Sequence, residues 1–293
     1  MLKGSIVAIV TPFNEDGSVN YNELEKLIEY HIENKTDGIV VLGTTGEAST
    51  ICYEEQEEIV KFSIEKANKR IPIIVGAGTN FTYKSIELAK KYSNMGADYL
   101  LVITPYYNKC NDSGLYKHFS MIADNSACPI ILYNVPSRTG MSISISVLEK
   151  LAKHPNIYGI KEASGNMEYS KKVANLISDE FVMYSGNDDI IVDMIKIGAV
   201  GVISVLSNIA PKQVHDMCDY ANNGNYNEAY KIQNDLLDVA NKLFIEVNPI
   251  PVKEAMNYLG FNVGGYHLPL DYMNEDNKNV LLNTIDNNKE VIF

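Results

Sequence analysis

Eight short apolar runs recur along the first two-thirds of the chain, at residues 5–10, 38–42, 71–75, 99–104, 130–133, 157–161, 181–185 and 200–205. Each is apolar at nearly every position and rich in Val and Ile. A strand with one wet face would alternate, so these runs predict strands covered on both faces. The stretches between them repeat apolar residues at helical spacing, near residues 54–68, 83–95, 115–127, 145–153, 168–178, 190–197 and 211–222. Asn20-Tyr-Asn-Glu23 supplies an N-cap with an acidic residue three positions on, ahead of Leu24, Leu27 and Ile28. Eight strand–helix units predict an α/β fold. An open doubly wound sheet has the same local alternation, but a count of eight favours a (β/α)8 TIM barrel.

After about Gly224 the alternation stops. Ala229, Ile232, Leu236, Ala240 and Leu243 fall on one helical face, Pro249 and Pro251 are expected to break the chain before residues 252–259, and a last helix is expected near 275–288. The division expected is a catalytic barrel over residues 1–224 and a C-terminal helical domain over 225–293.

Composition narrows the function classes. With 25 Lys and Arg against 37 Asp and Glu, the net charge is −12. That average charge repels a phosphate backbone and argues against nucleic-acid binding. No apolar stretch approaches the ~20 residues of a membrane span, and the apolar N-terminal stretch, cut by Pro12, is too short for a signal peptide. The four cysteines, Cys52, Cys110, Cys128 and Cys218, form no CxxC pair, so zinc spacing is absent and reduced thiols in the cytoplasm are expected.

The candidate chemistry lies where apolar runs end. Lys161 closes the sixth run. Removal from water favours the neutral form of an amine, and a neutral amine condenses with carbonyls to a Schiff base. The alternative is a strand-end lysine paired with Glu162 or reaching solvent. Gly43-Thr-Thr-Gly-Glu47 follows the second run; its hydroxyls and backbone amides suit a small carboxylate, or else form a turn with a capping Thr. Tyr133 ends the fifth run, next to Lys161 if strand order is sequential, and a phenol there can carry protons. Arg138 lies beyond it in a turn set by Pro136 and Gly140, suited to a carboxylate or to a surface ion pair. Tyr106 and Tyr107 follow the fourth run and point opposite ways if extended. Gly186-Asn-Asp-Asp189 reads as a turn with helix-capping carboxylates rather than a metal site.

Together, GTTGE at 43–47, TPYYN at 104–108, YNVPSRTG at 133–140, IKEASG at 160–165 and GVISV at 201–205 resemble the dihydrodipicolinate synthases, of the pyruvate-dependent class I aldolase superfamily. The likeness covers essentially the whole chain. It implies Lys161 as the Schiff-base residue for pyruvate and Tyr133 as proton carrier. Thr44 and Tyr107 complete a relay to solvent, Tyr107 reaching in from a neighbouring subunit. Thr45 holds the pyruvate carboxylate, Arg138 the carboxylate of aspartate semialdehyde, and Gly186 and Ile203 line the pocket. No metal or organic cofactor is implied. The partners implied are the two substrates and further copies of the chain. Two competing readings are another pyruvate-dependent aldolase, cleaving sialic acid or a keto-deoxy sugar acid, and a keto-acid-binding protein without catalysis. This chain departs from the pattern at Lys109–Ser113, where a proline is expected near Cys110, and at Lys84, where lysine-inhibited relatives carry an acidic residue. The latter implies weak or absent inhibition by lysine.

Overall fold

All eight apolar runs are strands. The computed structural model describes residues 2–292. It contains β1 (Gly4–Ala8), β2 (Gly38–Val41), β3 (Ile73–Gly76), β4 (Tyr99–Ile103), β5 (Ile130–Asn134), β6 (Ile157–Glu162), β7 (Val182–Ser185) and β8 (Gly201–Ser204). They are parallel, pair in sequence order and close into a barrel through β1 and β8, with Ile6 opposite Ile203. Helices α1 (Tyr21–Glu33), α2 (Tyr53–Ala67), α3 (Thr82–Asn94), α4 (Asp112–Asp124), α5 (Pro136–Thr139), α6 (Ile145–Leu151), α7 (Met167–Ala174), α8 (Ile191–Lys196) and α9 (Pro211–Asn222) alternate with the strands. Four more follow: α10 (Tyr226–Lys242), α11 (Ile250–Tyr258), α12 (Glu275–Asn287) and α13 (Lys289–Ile292).

The runs lack hydrophobic alternation because the core has two layers. Successive side chains on a strand point to opposite faces. Ile6, Ala8, Val40, Ile74, Leu101, Ile131, Tyr133, Tyr184 and Ile203 fill the barrel interior. Val7, Ile39, Val41, Val75, Leu100, Leu132, Ile160 and Val202 pack outward under the helices. On β6 the same alternation sends Ile160 and Glu162 outward and Lys161 inward. A one-residue slip would exchange the amine for the carboxylate, so the strand register decides which group enters the lumen.

Asn20 caps α1, its Oδ1 accepting from the Glu23 amide at 3.0 Å. Glu23 does not complete a reciprocal box. It is buried, and its Oε1 takes the Asn262 amide at 3.0 Å, tying α1 to the tail. The eleventh helix follows the break but begins two residues earlier than expected. Pro249 is its N-cap and Pro251 lies in its first turn, where a missing N–H has no partner to lose. The short helix α5 escapes the periodicity because four residues carry no repeat; Pro136 starts it and Gly140, at φ 72°, ends it. At Gly76 and Gly78 packing excludes a side chain. A Cβ would stand 1.9 Å from the Leu42 carbonyl oxygen at Gly76, and 2.4 Å from the Ile103 nitrogen at Gly78. In the tail, α10 packs on α8, α9 and α12.

Candidate active site

Strand register brings the central pair together. Tyr133 on β5 and Lys161 on β6 are direct partners, and both point into the barrel lumen at the carboxyl ends of the strands. The Lys161 Nζ lies 4.5 Å from the centroid of the Tyr133 ring. Both side chains are buried, at 6% and 8% exposure. Glu162 is not the amine's partner. It faces outward and accepts from Asn134 Nδ2 at 2.7 Å and from the Ser164 amide at 2.8 Å. Burial raises its carboxyl above the usual range, opposed by the bonds from Ser164 and Asn134. Lys161 therefore stands in a cavity of about 340 Å³ whose lining includes Thr44, Thr45, Tyr133, Arg138, Gly186 and Asn248.

The loop after β2 forms one wall. Thr45 is buried and Thr44 half-buried. The loop turns back on itself through the Gly46 amide to the Gly43 carbonyl at 3.1 Å and the Glu47 amide to the Thr44 carbonyl at 3.1 Å. It is not a helix cap. Thr45 Oγ1 accepts from Asn248 Nδ2 at 3.0 Å, which leaves its own O–H free to donate into the cavity. Arg138, exposed at the rim, donates from Nη2 to the Asn248 carbonyl at 3.2 Å. It forms no ion pair among the described residues, so its charge is open to an anion. On the far side of Thr44, Leu101 and Tyr133 lies a second cavity of about 460 Å³, lined also by Tyr53, Gln56 and Tyr106.

Residues 1–288 match the model of the dihydrodipicolinate synthetase family. A protein of Clostridium perfringens strain SM101, named 4-hydroxy-tetrahydrodipicolinate synthase, is 52% identical over 281 residues, 96% of each chain. The chain belongs to the dihydrodipicolinate synthetase family. Solved members superpose closely. The chloride-inhibited dihydrodipicolinate synthase of Acinetobacter baumannii, complexed with pyruvate, has a TM-score of 0.96 at 44% identity over 99% of both chains. That of Cyanidioschyzon merolae, with lysine bound, has a TM-score of 0.95 at 35% identity over 98% of both.

The family resemblance singled out eight residues, and the chain brings six of them to one cavity: Lys161, Tyr133, Thr44, Thr45, Arg138 and Gly186. Ile203 does not line it. Its backbone belongs to the β1–β8 ladder and its side chain packs into the barrel interior, while Val205 reaches the cavity. Tyr107 is outside it altogether. It is 90% exposed, and its backbone takes φ 66°, a left-handed conformation that a tyrosine rarely adopts. Tyr106 turns instead to the second cavity.

Three groups escaped the sequence reading. Asn248 joins Thr45 to Arg138 from 110 residues beyond the arginine, and a lone asparagine between tail helices carries no signal. Asp188 does not cap its own helix. It is buried, and its Oδ2 accepts the amides of Val205 at 2.9 Å and Leu206 at 3.0 Å, pinning the end of β8. Burial raises its carboxyl, opposed by hydrogen bonds from Ser204 and the two amides and by the charge of Lys161. The third group is the buried pair of Glu47 and Lys253, 2.8 Å apart. Only Glu47 had a motif to mark it.

Proposed function

We propose that this chain is a 4-hydroxy-tetrahydrodipicolinate synthase, a lyase of the Schiff-base class I aldolase type that serves diaminopimelate and lysine synthesis. The observation that carries the reading is the in-register pair of Lys161 and Tyr133, facing an anion loop across one cavity.

Pyruvate enters with its carboxylate on the Thr45 hydroxyl and loop amides. The Lys161 Nζ attacks its keto carbon to give a carbinolamine. Tyr133, against the amine, carries a proton to the departing hydroxyl, and water leaves to form the imine. Loss of a methyl proton gives the enamine, whose terminal carbon attacks the aldehyde carbon of aspartate semialdehyde; the new oxygen takes a proton and becomes the hydroxyl. Arg138 holds the carboxylate of that substrate. The substrate amine then adds to the imine carbon and expels the Lys161 amine, closing the ring. No cofactor enters the sequence of steps. A sugar-acid aldolase has no observation of its own in its favour, and an unpaired guanidinium at the rim suits a short second carboxylate substrate. Gly186 serves by bringing backbone close: its amide donates to the Glu162 carbonyl at 2.7 Å, and a Cβ there would stand 2.4 Å from Ala163 Cβ. Ile203 supports the site from the barrel interior.

The relay from Tyr133 through Thr44 ends on Tyr107 of a second copy. The support is a set of exposed aromatic rings, Tyr53 and Tyr83 at the starts of α2 and α3, and Phe81 and Tyr107 on loops. The enzyme is then a homo-oligomer built on a tight dimer. No described helix is long and apolar enough to cross a membrane, and the cytoplasm is the proposed location. Within this enzyme residues 1–224 are the catalytic barrel and 225–293 a C-terminal helical domain. Free lysine is a weak effector or none.

Incubation with pyruvate and borohydride followed by peptide mass mapping tests the chemistry. The adduct is expected on Lys161, and steady-state turnover is expected with aspartate semialdehyde. Labelling on another residue, or none, would refute it.

A further inference from the structure

The loop that faces the keto-acid carboxylate is held from outside the cavity by groups to which the reaction gives no role. Glu47, two residues after Thr45, has a backbone φ of 55°, a left-handed conformation unusual for a glutamate. Its side chain and that of Lys253 on α11 are both 0% exposed. Glu47 Oε1 lies 2.8 Å from Lys253 Nζ, and Oε2 accepts the His267 amide at 3.0 Å. The Lys253 ammonium donates to the Thr11 carbonyl at 3.0 Å and sits 4.2 Å from the centroid of the Phe13 ring. Thr11 returns to the loop, its Oγ1 donating to the Gly46 carbonyl at 2.7 Å. Five residues before Lys253, Asn248 holds the Thr45 hydroxyl. The start of α11 thus grips the loop at two points.

We propose that Glu47 and Lys253 are positioning residues for capture of the keto acid: their ion pair clamps the Thr44–Thr45 loop so that its donors meet the substrate carboxylate. This rests on the function proposed above. Stability alone is a poor account of the pair, because apolar replacements of buried ion pairs are often as stable or more so. What an apolar pair cannot supply is direction. Two carboxylate oxygens with fixed donors determine where a left-handed Glu47 sits, and through it the Thr45 hydroxyl and amide. The pair also carries no net charge, so it adds no competing cation beside the substrate anion.

The test uses the full chain with two variants, the double variant Glu47→Gln/Lys253→Met and the single variant Glu47→Asp. The first removes both charges together; the second keeps them but shortens the arm. Borohydride trapping on Lys161 is measured against pyruvate concentration, with thermal melting and the KM of each substrate. The expected result is a folded double variant whose half-saturating pyruvate concentration rises tenfold or more. Its KM for aspartate semialdehyde at saturating pyruvate should stay within threefold of wild type, and Glu47→Asp should fall between the two. Unchanged pyruvate dependence in either folded variant would overturn the proposal. So would equal loss toward both substrates, or failure of both variants to fold, since the pair would then serve the fold alone. Failure of the wild-type chain to trap pyruvate would count against the proposed function instead.

Discussion

Lys84 offers the sharpest electrostatic test. The family resemblance implies an acidic residue at the place of Lys84 in lysine-inhibited relatives. Here the Lys84 ammonium lies 3.9 Å from the centroid of the Tyr53 ring and 2.8 Å from Glu87 Oε1, with the side chain 22% exposed. It therefore sits beside the cavity that Tyr53 lines rather than out in solvent. Two like charges at about 4 Å repel by ~4 kcal/mol at an effective dielectric of about 20. Glu87 is exposed and offsets part of this, leaving on the order of 1–2 kcal/mol against the side-chain ammonium of a bound lysine. A carboxylate in its place would attract by a similar amount, so the reversal totals ~2–4 kcal/mol, roughly 30- to 700-fold in affinity. The assay is lysine titration into steady-state turnover of the wild type and Lys84→Glu. The wild type should resist millimolar lysine, and the variant should gain sensitivity by at least ~30-fold. Submillimolar inhibition of the wild type, or a variant no more sensitive than the wild type, would refute the reasoning.

Arg138→Ala should raise the KM for aspartate semialdehyde while leaving borohydride trapping of pyruvate near normal; losing a charged hydrogen-bonding partner costs about 2–3 kcal/mol, roughly 30- to 150-fold. Trapping that fails while the aldehyde KM holds would show the assigned role to be wrong. Tyr107→Phe should lower turnover without lowering the melting temperature, and sedimentation of the wild type at assay concentration should show no active monomer. Lys161→Ala should abolish trapping and leave only such rate as proximity provides. The His215 Nδ1 lies 2.9 Å from Asp37 Oδ2, and that hydrogen bond raises the imidazole above its usual 6.5. Its contribution to stability is full below about pH 6.5 and is lost as pH rises through the higher folded-state value. His215→Gln should therefore destabilise the chain at acid pH, with the gap to wild type in melting temperature narrowing in alkali.

The barrel was legible because it is local. Runs such as 38–42 and 130–133 are apolar at every position only if both faces are covered, and eight of them in register close a sheet. The inward place of Lys161 was not legible, since isoleucines such as Ile74 and Ile131 fill the interior while Ile160 packs under the helices. Most of the site residues that the resemblance named lie at the ends of β5 and β6 or in the turns after β2, β5 and β7, which one end of a barrel gathers automatically. What the sequence left open depends on chain segments far apart. Asn248 reaches Thr45 across 203 residues and Lys253 reaches Glu47 across 206, and no spacing rule spans such distances. Asp188 reads locally as a cap, yet it serves the end of β8, because its buried Oδ2 takes the two amides that the closed barrel presents there. Periodicity determines which face of an element is apolar. Only the packed chain decides which tail residue meets which loop, because buried polar groups must find partners, and the partners available are set by how the helices close over the barrel.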